Sequence, residues 1–145
     1  MTPQTSNINF RREQIDKVFV MLTSTNKDLQ KQFDKYLLDE YEGDLLERLS
    51  YLDVSKIARF IVEKIKVGQT SFFQDFFNQI EFILSSCDKY VEDLLVEGLF
   101  ECIQNNCGWD DIDYYQSFDQ WLKPLSKQKW DKLIDFWEGR DWRAE

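Results

Sequence analysis

The chain has 145 residues, a net charge of −9, an aromatic fraction of 16% and no histidine. So many aromatic side chains exclude a disordered chain, and the missing histidine excludes histidine-based catalysis and histidine-ligated zinc. The negative charge argues against nucleic acid as a ligand. The first residues lack the pattern of a signal peptide, and no apolar run reaches the ~18 residues of a membrane span. We therefore expect a cytoplasmic protein without a cofactor or a metal.

Hydrophobic spacing in the first half predicts helices separated by short polar breaks. The first helix begins near Asn9, and Asn26 or Thr25 caps the second. A short third element covers residues 44–51, and Asp53 caps the helix that follows. The predicted inward-facing positions of these helices include Ile15, Val18, Phe19, Leu22, Leu29, Phe33, Ile57 and Ile61.

The second half begins with a dense aromatic cluster. Ser71 and Gln74 fit a capping box for a helix whose phenylalanines form the predicted centre of the core. A largely buried helix follows over residues 88–105. A loop and a short helix then lead to Pro124, which stops that helix, and Ser126 caps the last one. The short helix carries Tyr114, Phe118, Trp121 and Leu122, and the inward positions of the last helix are Trp130, Leu133, Ile134 and Trp137. The clustered phenylalanines are Phe72, Phe73, Phe76 and Phe77.

These elements predict one all-α domain over residues 1–145, built from six to eight helices. Five glycines and two prolines are too few turn-forming residues for an all-β chain. No fixed-period repeat and no low-complexity linker divides the sequence. We expect residues 1–6 and 140–145 to be loose ends.

The negative charge is concentrated between Gln69 and Leu122, where eleven acidic residues face a single base, Lys89. Asp93, Glu97 and Glu101 are spaced by four, which places them within about 80° of one helix face. Like charges at this spacing repel one another, so something should offset the repulsion. Three interpretations remain open: a solvent-facing stripe, a surface for a basic protein, or a carboxylate metal site.

A second acidic group follows the long helix. Asp110, Asp111 and Asp113 do not form a calcium loop, because the required Gly and Glu are absent at positions six and twelve. Acids beside Tyr114 and Tyr115 are typical of an interface, although they could equally cap a helix beside core rings. The candidate partner-binding residues are Asp93, Glu97, Glu101, Asp110, Asp111, Asp113, Tyr114, Tyr115 and Asp119.

Two stretches of the second half resemble a known class of protein. The segments VEDLLVEGLFECIQNN (91–106) and YYQSFDQWLKPLSKQKWDKLIDFWEG (114–139) are similar to small, acidic, helical bacterial immunity proteins of contact-dependent and polymorphic toxin systems. The resemblance implies a cytoplasmic inhibitor that binds one toxin domain. Many such toxins are basic nucleases, and carboxylates of the inhibitor often occupy the phosphate-binding site.

The sequence therefore predicts an immunity protein without enzymatic activity, which neutralises a cognate cationic toxin through an acidic, aromatic surface. An alternative is a helical scaffold or regulatory module that acts by self-association or protein binding. A metal-dependent enzyme built on the carboxylates is the third hypothesis. The sequence contains no glycine-rich loop, Walker lysine or GxSxG motif that would support this third hypothesis.

Overall fold

Six helices account for the architecture of the residues that the computed structural model describes, which are residues 3–139 for the backbone and 10–139 for the side chains. No strand occurs within these limits, and the helices pack into a single domain, which confirms the predicted all-α fold. The helices are α1 (Pro3–Thr23), α2 (Lys27–Tyr41), α3 (Ser50–Lys66), α4 (Phe73–Leu84), α5 (residues 89–109) and α6 (Pro124–Glu138).

The first two predicted helices are present, and α1 starts earlier than predicted. α1 begins at Pro3 rather than near Asn9, so the backbone of residues 3–6 is helical. The other predicted loose residues, 1–2 and 140–145, lie outside the described part of the chain. Asn26 caps α2 as predicted, because its side chain accepts a hydrogen bond of 3.0 Å from the backbone N–H of Leu29.

The predicted third element is wrong: the chain between α2 and α3 forms turns, and its Leu46 and Leu49 are exposed. The side chain that this loop buries is Arg48, which is ion-paired with Asp53 at 2.8 Å. Asp53 lies inside α3, which begins at Ser50, so it does not cap the helix. Charge pairing rather than leucine burial therefore fixes this loop.

The phenylalanine cluster forms the centre of the core, as predicted. Phe73 of α4 lies 4.9 Å from the ring of Trp121 and 6.3 Å from that of Phe118, measured between centroids. Phe118 in turn lies 5.0 Å from Trp130 of α6. The predicted capping box at Ser71 is not formed, because α4 begins after Phe72.

α5 packs between α3 and α6, and its middle turns are widened. The helix is α-helical over Lys89–Asp93, π-helical over Leu94–Phe100 and α-helical again over Glu101–Trp109. It therefore continues past the predicted end at residue 105. Gly98 in the π segment allows the close approach of α3, since a Cβ there would lie 3.0 Å from Cγ1 of Val54.

The segment before α6 consists of turns, so the predicted short helix ending at Leu122 is wrong. Pro124 begins α6 instead of stopping a helix, and Ser126 lies in the first turn instead of at the cap. Both carboxylate oxygens of Glu81 accept hydrogen bonds there, from the backbone N–H groups of Leu125 at 2.9 Å and Ser126 at 2.8 Å. A carboxylate of α4 therefore caps α6.

The last helix ends at Gly139, which adopts a φ of 70°, a value that favours glycine. Trp130 and Ile134 are buried as predicted, whereas Trp137 is not, since 46% of its surface is exposed. Among the described helices, none is both long enough and apolar enough to cross a bilayer.

Candidate partner-binding surface

The acidic stripe of α5 lies beside Tyr51 of α3. Burial raises the pKa of Tyr51, and the negative charges of Glu97, Asp93 and Glu101 raise it further. All three carboxylates therefore lie near enough to this phenol to affect its pKa. Asp93 is also bound to Lys89 on its own helix, with 2.8 Å between Oδ1 and Nζ. The phenol of Tyr51 therefore stays protonated and able to donate a hydrogen bond.

Glu97 and Glu101 differ from the other acids of α5. Within residues 10–139, neither one forms an ion pair or a side-chain hydrogen bond. Glu97 lies in the π-helical segment and is exposed. Both line a groove of about 430 Å³ between α5 and α6, which we call the α5–α6 groove. Its lining residues are Val96, Glu97, Glu101, Lys129, Lys132, Leu133, Phe136 and Trp137.

The α6 wall of this groove is aromatic and basic. Phe136 is 75% exposed and Trp137 46% exposed, with their ring centroids 5.5 Å apart. Lys129 is bound to Glu92 at 2.7 Å, and Lys132 is exposed. An apolar side chain of a partner can be buried against the two rings. A cation of the same partner can meet the two carboxylates across the groove.

The acids of the loop after α5 are largely engaged within the chain. Asp110 is bound to Arg59 at 3.2 Å and to Lys66 at 3.6 Å, both on α3. Asp113 accepts a hydrogen bond of 2.8 Å from the backbone N–H of Tyr115, which closes a turn. Asp111 is exposed and adopts a φ of 57°. Two of these three acids therefore stabilise the loop itself.

The two predicted tyrosine anchors are half-buried. Their rings stack with centroids 4.8 Å apart, and the hydroxyl of Tyr115 donates to a carboxylate oxygen of Glu138. That bond, more than any other cause, raises the pKa of Tyr115. The carbonyl of Tyr114 accepts a hydrogen bond of 2.9 Å from Nε1 of Trp130. Tyr114 and Tyr115 thus hold the loop onto α6, and Asp119 is half-buried nearby in sequence.

The nine predicted residues therefore fall into two groups, three on α5 and six on the following loop. Sequence reasoning missed the exposed aromatic pair, because Trp137 was placed inward and Phe136 received no role. The available signal was that Phe136 departs from the inward stripe of Trp130, Leu133 and Ile134. An aromatic residue on the polar face of an amphipathic helix indicates a contact site. Trp109, at the end of α5, is also exposed.

A buried polar network, which sequence reasoning also missed, connects α1, α2 and α3. Asp53 is fully buried, and its Oδ1 accepts hydrogen bonds of 2.7 Å from both Tyr36 and Tyr41. Its Oδ2 accepts from Nε of Arg48 at 2.8 Å, and Arg48 reaches Asp16 at 2.7 Å. Burial and the bond to Asp53 raise the pKa of Tyr36. These bonds connect α1, α2 and α3, while the buried Nη2 of Arg48 has no hydrogen-bond partner among the described residues.

The cysteines do not form a metal or nucleophile site in the part of the chain that the structure describes. Burial raises the pKa of all three thiols, and that of Cys107 reaches about 12 because Asp110 and Asp113 add to the effect. These thiols are therefore protonated near neutral pH. No group of three or more Cys, Asp or Glu side chains is arranged to hold a metal within the described residues.

One of the three comparisons with known proteins gives a match. A family model described as Domain of unknown function (DUF7674) matches residues 20–138, which is more than half of the chain. The match contains all of α2 to α6 and therefore the whole α5–α6 groove. No curated protein and no solved structure matches.

Proposed function

Because the chain belongs to the family described as Domain of unknown function (DUF7674), we propose its function from geometry: it is a binding protein that recognises a cationic protein partner through the α5–α6 groove. In its specific form, the partner is a toxin domain and the chain is its immunity protein, without enzymatic activity of its own. Binding of the partner's lysine or arginine side chains to Glu97 and Glu101 then neutralises the toxin.

The observation that carries the proposal is a pair of carboxylates, Glu97 and Glu101, that have no partner among residues 10–139 and lie beside exposed aromatic rings. Other acids of the charged segment are used inside the chain, as the contacts of Glu81, Glu92 and Asp110 show. Glu97 and Glu101 repel each other and gain nothing from the described fold, so a cation from outside offsets that cost. Such charges accelerate association, while aromatic anchors slow dissociation.

The inhibitor form is supported by the sequence resemblance. The segments 91–106 and 114–139 resemble immunity proteins, and they supply both walls of the α5–α6 groove. A toxin that binds phosphate groups needs a cationic site, which two carboxylates can occupy in place of the substrate. Inhibition then follows from occlusion of that site.

Two measurements on the complex test the proposal. The tagged chain is co-expressed with the product of its neighbouring gene, and we expect recovery of one basic protein that stops growth when expressed alone. With that partner, calorimetry should show that Glu97→Lys/Glu101→Lys weakens binding by more than about 3 kcal/mol. The matched control is Asp34→Lys/Asp39→Lys, which changes the same net charge on exposed positions of α2 and should cost less than about 1 kcal/mol.

Equal weakening by the two double variants would reduce the effect to net charge and contradict a site in the α5–α6 groove. Recovery of a partner whose expression does not affect growth would contradict the immunity form while leaving the groove testable. The uncharged variant Phe136→Ser adds a test without a charge change, because Phe136 is exposed and its loss should weaken binding without unfolding the chain.

A further inference from the structure

A second groove, which shares no residue with the first, lies between α1 and α4. It has a volume of about 310 Å³ and is mainly apolar. Phe10 of α1 and Phe82 of α4 stand at its edge with 61% and 64% of their surfaces exposed. We call it the α1–α4 groove. Its lining residues are Phe10, Glu13, Gln14, Lys17, Val18, Met21, Phe82, Ile83, Ser86, Cys87 and Val91.

The charges along this groove are self-complementary. Glu13 and Lys17 are exposed, lie one helical turn apart on α1, and line the same groove. Among residues 10–139 neither forms an ion pair, with the other or with any other side chain. When two copies of such a helix pack antiparallel across a twofold axis, each acid meets the base of the other copy.

A polar atom inside the groove also lacks a partner. The Oε1 atom of Gln14 is shielded from solvent and accepts no hydrogen bond from the described residues. Gln14 lies between Glu13 and Lys17, so a twofold axis that pairs these charges passes beside it. The oxygen is shielded within the single chain, so pairing it with the amide of Gln14 from a second copy requires its side chain to rotate into the groove.

We propose that a second copy of this chain occupies the α1–α4 groove and forms a symmetric dimer. The axis passes α1 at the level of Ile15, because that position is midway between Glu13 and Lys17. Phe10 of each copy then faces Val20 and Met21 of the other, and Val20 is exposed in the single chain. The dimer buries both Phe10 and Phe82 rings of each copy, which is the main driving force.

The observations favour a second copy over an unrelated peptide. A foreign segment would have to supply a base, an acid and an amide at matching intervals, whereas a copy of α1 supplies all three by symmetry. Most of α1, including Phe10, Glu13 and Lys17, also precedes residue 20, where the family match begins. The α1 side of the dimer surface therefore lies mostly outside the matched region, whereas its α4 side, with Phe82, lies inside it. The surface shares no residue with the partner-binding groove.

A charge-swap cycle, measured by sedimentation equilibrium on the full chain, tests the dimer. We expect a concentration-dependent dimer that Glu13→Lys and Lys17→Glu each weaken about tenfold, because each reversal places two like-charged pairs at the interface. The double variant Glu13→Lys/Lys17→Glu restores the pairs with opposite polarity and should regain the original affinity. Phe82→Ser should abolish the dimer, while circular dichroism confirms that the helices persist.

Three outcomes would overturn this proposal. They are a strict monomer at the highest concentration, single reversals that leave the dimer unchanged, and a double variant as weak as the singles. The control Glu97→Lys/Glu101→Lys should leave dimerisation unaffected, since those residues lie in the α5–α6 groove. Failure of the dimer therefore leaves the partner-binding proposal intact, and failure of partner binding leaves the dimer intact.

Discussion

Two sets of carboxylates in this protein have opposite surroundings. Asp53 is fully buried and accepts bonds from two tyrosines and an arginine, all within 2.8 Å. Glu97 and Glu101 line the α5–α6 groove and have no such bond within the described residues. Asp53 belongs to a half of the chain without net charge, whereas the two glutamates lie in the strongly acidic segment.

The difference teaches that the charge of a segment does not locate a binding surface. Within the acidic segment, Glu81 and Asp88 cap helices and Asp110 is bound to two bases of α3. These acids are already satisfied, so a partner would have to displace existing bonds. The informative acids are the few, such as Glu97 and Glu101, that have no partner among the described residues.

The largest expected effect comes from the buried acid. Asp53→Asn should lower the free energy of unfolding by about 3 kcal/mol, because the buried guanidinium of Arg48 loses its buried counter-charge and keeps only the half-exposed Asp16. Urea denaturation measures this, with Glu97→Gln as the control that should remain within about 0.5 kcal/mol of the original chain. Similar losses of stability in the two variants would contradict the difference between the buried Asp53 and the groove glutamates.

An intermediate effect is expected for the carboxylate that caps a distant helix. Glu81→Ala should cost about 1–2 kcal/mol, because two backbone N–H groups at the start of α6 lose their acceptor. Glu81→Gln should cost less, since one acceptor oxygen remains. Thermal denaturation of both variants measures these losses of stability, with Glu101→Ala as the control. A loss for Glu101→Ala as large as that for Glu81→Ala would contradict the assignment.

The smallest effect concerns the ion pair between Glu92 of α5 and Lys129 of α6. The bond to Lys129 holds the pKa of Glu92 below its ordinary value of 4.5. A lowered folded-state pKa stabilises the protein above the ordinary value, and this contribution disappears as the pH falls through the folded-state pKa. Glu92→Gln should therefore cost under about 1 kcal/mol at pH 7 and nothing in more acidic solution. Urea unfolding at both pH values checks this, and a loss that persists in acid would contradict it.

Local patterns of the sequence predicted much of the fold. The cap at Asn26 and the buried phenylalanines of α4 depend on neighbours within one or two turns, so their spacing was sufficient. The spacing of Tyr114, Phe118 and Trp121 predicted a helix, but these rings pack from turns onto the core. Tertiary contacts override local periodicity in such segments.

The sequence predicted less of the candidate site, because the decisive contacts join distant positions. Glu81 caps a helix that begins more than forty residues later, and Arg59 neutralises Asp110 from another helix. Neither pairing can be read from spacing. Glu97 and Glu101 were among the predicted residues, but only the complete set of bonds distinguishes them from the acids that stabilise the fold.

The π-helical turn of α5 affects how the chain tolerates the deletion of one residue. A π-helical turn contains one residue more than the α-helical turn that it replaces, so the α-helical ends of α5 keep their faces on either side of it. Loss of one residue between Leu94 and Phe100 can return the turn to α-helical geometry and leave the buried face of Ile103 in place. The same loss within α3 rotates every later side chain by about 100°. In α5, unlike in α3, a single deletion can therefore leave the packing of the later turns unchanged.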